Sequence, residues 1–109
     1  DFFAYDVAIC LNAWCFEPDH AFNVTKAQAL LGAYHRERAL SEAEQAALPL
    51  LARGAALRFL LTRLVDFLNV PAGALVKPKD PLEYVRKLRF QQRVGGVRDY
   101  GVAALGPVA

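Results

Sequence analysis

An all-α fold, a small bundle of about four or five helices, is predicted by three features of the sequence. Asp1–Glu17 reads as a helix apolar on nearly every side. Leu50–Asn69 carries a broad leucine stripe, and helix-start signals stand at Thr25, Ser41 and Asp80.

In the first helix, at about 100° per residue, Phe3, Val7, Cys10, Leu11 and Trp14 form one stripe. Ala4, Ala8, Ile9 and Phe16 leave the other sides almost as apolar. Such a helix is enclosed by protein or by lipid. This one is too short, and too closely flanked by acids, to span a bilayer, so it is expected at the centre of a core. Asp6 falls in its first turn or two, where an ionised carboxylate is costly unless donors meet it. Either it accepts from the free N–H groups of its own helix start, or it accepts from the backbone of another loop and fixes that loop's shape. Helix physics alone leaves both readings open.

Glu17-Pro18-Asp19-His20 forms a turn, because Pro18 cannot continue the helix. Thr25 and Gln28 have the spacing of a capping box, opening a second helix over about residues 26–38. Ala27, Leu30, Leu31 and Tyr34 form its inner side; Lys26, His35, Arg36, Glu37 and Arg38 form a solvated face and helix end. Ser41 with Glu44 is a stronger capping box, and Pro49 predicts a kink or a new start.

From Leu50 to Asn69, Leu57, Leu60, Leu61, Leu64, Phe67 and Leu68 build a core face, and Gly54, Ala55 and Ala56 admit a close neighbour. Opposite them Arg58, Thr62, Asp66 and Asn69 make a polar stripe at near i, i+4 spacing. That stripe is either a solvated outer face or, in Arg58, an anchor for a substrate carboxylate, which a guanidinium grips with two hydrogen bonds. Arg53 lies nearer the apolar stripe and needs a partner if enclosed.

Pro71 through Pro81 reads as a loop. Asp80-Pro81-Leu82-Glu83 has the order N-cap, proline, then an acid at the third position, and opens a last helix to about Arg93. Arg86, Lys87, Arg89 and Arg93 suit the negative end of that helix dipole, ahead of any phosphate-binding role. Residues 1–93 read as the helical part of the chain, and 94–109 as a flexible tail.

With 109 residues the chain makes one small domain, and its 55% hydrophobic content exceeds the usual soluble share. Such a chain is expected to present a face to another part of its protein. A net charge of +2, mixed in sign, implies no nucleic-acid partner. Nor do residues 26–48 carry the basic recognition face of a helix–turn–helix. Cys10 and Cys15 are turned about 140° apart on one helix and cannot bridge within it; they read as buried free thiols of a reducing compartment. His20 and His35 lack metal-ligand spacing, and the only serine, Ser41, is a helix cap, so neither a metal site nor a serine triad is expected. No secretory, transit or lipidation signal is visible, which makes a cytoplasmic location the expectation, with no membrane partner.

Tyr5-Asp6-Val7-Ala8 followed by Ile9-Cys10-Leu11-Asn12-Ala13-Trp14-Cys15-Phe16-Glu17 closely resembles the start of the C-terminal helical region of the bacterial homoserine kinase family. The form meant is that of the aminoglycoside phosphotransferase and choline kinase-like superfamily. The resemblance continues through Phe22–Ala27, Leu48–Leu64, Ala74–Tyr84 and Arg86–Phe90, and fades beyond about Arg93. It implies the C-terminal helical subdomain of a protein-kinase-like fold and transfer of the γ-phosphoryl group of ATP, with Mg2+, to the hydroxyl of L-homoserine, a step of threonine biosynthesis. Asp6 would be the buried acid that braces the catalytic loop, without itself reacting, and Arg58 would contact the substrate carboxylate. The family's His-Gly-Asp catalytic loop and metal-binding Ile-Asp-Phe segment are absent, and no methionine occurs. The expectation is therefore a C-terminal portion of a longer kinase, inactive and binding no cofactor or metal by itself, whose partner is the N-terminal and catalytic portion of the same protein. The alternative is a stand-alone helical interaction module or an inactive gene remnant.

Overall fold

In the computed structural model, which describes residues 2–69 and 80–101, four α-helices form: α1 (Phe2–Trp14), α2 (Val24–Glu37), α3 (Glu42–Leu68) and α4 (Leu82–Arg93). A 3₁₀ turn, Val97–Tyr100, follows α4. Among the described residues the extended pairing is one isolated bridge, Phe16 with Phe22. The all-α expectation is met. The long helix α3 is the common packing partner, lying against both α1 and α4, while α2 packs on α1.

Helix α1 is less enclosed than its composition predicts. Ala4, Val7, Ala8 and Leu11 are buried, with Cys15 just beyond the helix, but Asp6 is exposed and Trp14 is 68% exposed. The buried face is rotated from the predicted stripe and includes a polar residue, Asn12. Cys15 is buried, and burial, reinforced by the neighbouring Cys10, pushes its thiol up to about 11. Cys10 is half-buried, 3.4 Å from the Tyr34 hydroxyl, and both cysteines are free.

The turn after α1 is closed by hydrogen bonds between Glu17 and Ala21 and from the Asn23 N–H to the Cys15 carbonyl. Asn23, with its Oδ1 accepting from the Lys26 N–H at 2.9 Å, caps α2; the helix therefore begins before the predicted Thr25 cap. At its other end His35, expected in solvent, is buried and accepts the Leu40 N–H on Nδ1 at 3.0 Å, which fixes the turn into α3.

The Ser41–Glu44 capping box forms as predicted. Pro49 does not start a new helix: it is buried within one continuous 27-residue helix. At about 1.5 Å per residue α3 is roughly twice the length of α1, so the two can be matched only over its first half. There Leu48, Ala52, Ala55 and Ala56 are buried, the small residues allowing the close approach expected of them, though Gly54 and Arg53 face outward. Beyond, Leu57, Leu61, Leu64, Phe67 and Leu68, predicted as core, are 40–71% exposed.

Four groups form a buried polar chain through the core. Asn12 Nδ2 donates to the Ala52 carbonyl at 3.0 Å, Gln91 Nε2 donates to Asn12 Oδ1 at 3.0 Å, and the Tyr100 hydroxyl donates to Gln91 Oε1 at 2.7 Å. The path joins α1, α3, α4 and the 3₁₀ turn. It also corrects the expected tail: Val94–Gly101 is folded, and Tyr100 is the largest fully buried side chain. Phe16, Phe22 and Phe90 pack as an aromatic cluster beside it, the last two stacked at 4.3 Å. Gly101 closes the turn at φ +95°, where an added Cβ would meet Val24 Cγ1 at 2.2 Å. Residues 71–79 of the expected Pro71–Pro81 loop and tail residues 102–109 lie outside the described residues.

Replacing Gln91 by Leu leaves Asn12 Oδ1 without a donor and the Tyr100 hydroxyl without an acceptor. At about 1–3 kcal/mol for each buried unsatisfied group, denaturant unfolding should show a loss of roughly 2–5 kcal/mol. Tyr100→Phe strands one acceptor and should cost about half as much.

Candidate functional site

A cleft of about 630 Å³ opens where the end of α1 meets α3 and the start of α4, lined by Ala13, Trp14, Phe59, Arg63, Asp80, Glu83, Tyr84 and Lys87. A smaller hollow of about 270 Å³ adjoins it and shares Ala13, Glu83 and Lys87 with it. Asp80 forms part of the rim, its Oδ1 accepting the Leu82 N–H at 2.9 Å; the N-cap position itself falls one residue later than expected, at Pro81.

Glu83, read from sequence as the acid at the third position of its helix, is the hub of an ion cluster. Arg63 Nη1 reaches its Oε1 at 2.7 Å from α3, and Lys87 Nζ reaches its Oε2 at 2.7 Å from one turn along α4. Of the four basic residues read as suiting the helix dipole, the Lys87 side chain is only 5% exposed, whereas Arg86, Arg89 and Arg93 are exposed. A cation so withdrawn from water needs compensation beyond one carboxylate. Aromatic faces supply it: Lys87 Nζ stands 4.6 Å from the Tyr84 ring centre and 5.4 Å from that of Phe16, and the Arg63 guanidinium lies 4.4 Å over Tyr84. Phe59 stacks on Tyr84 at 5.4 Å and completes the wall.

The two residues singled out from sequence lie elsewhere. Helix α1 begins at Phe2, so Asp6 stands beyond the free N–H groups of the first turn, and its carboxylate has no hydrogen-bond partner among the described residues. It is exposed on the surface, which removes the reading in which it serves its own helix start. Arg58 is also exposed; its Nη1 donates to the Tyr5 hydroxyl at 3.3 Å, and it does not line the cleft. Thr62 bonds back to the Arg58 carbonyl, as an outer helix face does. Arg63 and Lys87 share the cleft because α3 and α4 pack side by side, a pairing that helical spacing within either segment does not reveal. The sequence signal available was the proximity of Glu83 and Lys87 at i, i+4. Among the described residues no three of His, Cys, Asp and Glu stand together to hold a metal ion, and no helix is long and apolar enough to cross a membrane.

Burial acting alone would raise the pKa of Glu83, but the hydrogen bonds and charges of Lys87 and Arg63 outweigh it and bring it down to about 2. A carboxyl that is more acidic folded than unfolded contributes its full stability above its ordinary value of 4.5 and loses it as the pH falls towards 2. Glu83→Gln should therefore be less stable than the parent at neutral pH, with the difference narrowing through that acid window in urea unfolding.

No family model matches the chain. Among curated proteins it is 98% identical over 109 residues to the homoserine kinase of Nitrobacter winogradskyi, 92% to that of Nitrobacter hamburgensis and 85% to that of Rhodopseudomonas palustris (strain BisB5). Each match takes in 100% of this chain and 33% of the relative, so the chain spans about a third of the length of the proteins it matches. The likeness to homoserine kinase thus extends over every residue of this chain and over one third of those enzymes.

Proposed function

We propose that this chain is a C-terminal helical portion of an ATP-dependent homoserine kinase, a cytoplasmic enzyme that phosphorylates the side-chain hydroxyl of L-homoserine. The observation that carries the reading is 98% identity without interruption over 109 residues. Phosphoryl transfer needs metal-held phosphates and a positioned acceptor hydroxyl. In this reading ATP and its metal are held by portions of the enzyme other than this one, and the helices here supply scaffold and part of the acceptor site.

Asp6 keeps the role of brace for the catalytic loop. Its carboxylate stands exposed on α1, a helix that contributes Val7, Ala8 and Leu11 to the core, and is open to donors from another segment. A carboxylate that receives backbone N–H groups fixes a loop without touching substrate.

The complete gene product is expected to release ADP from ATP only when L-homoserine is supplied, in a coupled assay. No homoserine-dependent ADP release would reject the reading. In that enzyme Asp6→Ala should lower kcat at least tenfold with little change in unfolding midpoint, because the side chain anchors nothing within this portion. An unchanged kcat rules out the brace.

A further inference from the structure

We propose that the cleft between α3 and α4 holds the acceptor amino acid, with Arg63 and Lys87 taking its α-carboxylate and Asp80 its α-ammonium group. The assignment rests on the homoserine kinase reading, and moves the carboxylate anchor from Arg58 to Arg63.

The charge balance of the cluster is the first reason. Two cations converge on the single carboxylate of Glu83, one on each oxygen, which leaves an excess positive charge beside a cavity. A guanidinium carries five N–H donors and an ammonium three, so each cation has donors left after its bond to Glu83. Glu83 holds the pair in place before any ligand arrives, which reduces the ordering cost of binding. Lys87, at 5% exposure, sits where a ligand carboxylate is felt strongly, because little water screens the pair.

The second reason is the opposite charge in the same cleft. Asp80 has one oxygen on the Leu82 N–H and the other in no hydrogen bond among the described residues. A zwitterion satisfies both poles, whereas inorganic phosphate meets the cations and is repelled by Asp80. The third reason is shape: about 630 Å³ accommodates a small amino acid, and Phe59 and the exposed Trp14 offer apolar walls to its methylene groups. Arg58 has none of these surroundings. It is turned about 140° around α3 from Arg63, fully exposed, with the Tyr5 hydroxyl as its partner.

The test compares two acceptors in the complete enzyme: L-homoserine, and 3-aminopropan-1-ol, which has the same alcohol and amine but no carboxylate. Turnover and calorimetric binding are both read. Arg63→Gln should reduce kcat/KM for L-homoserine roughly tenfold or more, chiefly through KM, and leave 3-aminopropan-1-ol nearly unchanged. Arg63→Lys keeps the pairing with Glu83 and should show a smaller loss of the same selectivity, which guards against a folding defect. Equal losses on the two acceptors in both variants, or a selective loss in Arg58→Gln in place of Arg63→Gln, overturn the assignment while leaving the kinase reading intact. An unaltered enzyme that neither binds nor phosphorylates L-homoserine overturns both.

Discussion

The polar chain from the Ala52 carbonyl through Asn12 and Gln91 to Tyr100 is the constraint on which this arrangement of helices depends. Apolar contacts between helices tolerate sliding and rotation, since hydrophobic burial has no direction. A buried amide does not: each of its groups must find a partner, and an unmet one is expensive. Asn12 therefore fixes the rotation of α1 against α3, and Gln91 fixes α4 against both. Tyr100 extends the same requirement to the segment after α4. Every buried side-chain nitrogen and oxygen among the described residues is satisfied.

That register positions the cleft. With α3 and α4 side by side, Arg63 and Lys87 arrive on opposite oxygens of Glu83, and Tyr84 lies under both cations. The cluster ties the two helices together beside the end of α1. Its geometry leaves the charged groups facing a cavity rather than a packed interior, which is what separates it from an ion pair that only joins helices.

Over its second half α3 carries Leu57, Leu61, Leu64 and Leu68 on one exposed face. A stripe of this kind accompanies a chain of 55% hydrophobic content, and it stands uncovered among the described residues. The same leucines were predicted as core for the right reason, their helical spacing, but spacing states only that residues share a face. Whether that face is covered depends on what lies opposite, and α1 is too short to lie there.

The sequence by itself determined the helical class, the Ser41–Glu44 start of α3, the start of α4 to within a residue and the likeness to homoserine kinase, because capping and family strings are local in sequence. It misplaced the α2 cap, since Asn23 earns that position through bonds to Glu17 and Cys15 that the turn creates. It read His35 as solvated because it stands in charged surroundings in sequence, and Lys87 as serving its helix dipole, whereas in space His35 serves the Leu40 N–H and Lys87 serves Glu83 and two rings. It read Tyr100 as part of a tail because one aromatic residue has no period. Only the tertiary structure decided which face of α1 is inward, where α3 leaves the core, and that Arg63, Glu83 and Lys87 meet. Those outcomes depend on contacts between segments far apart in the chain, which helical periodicity within any one segment does not encode.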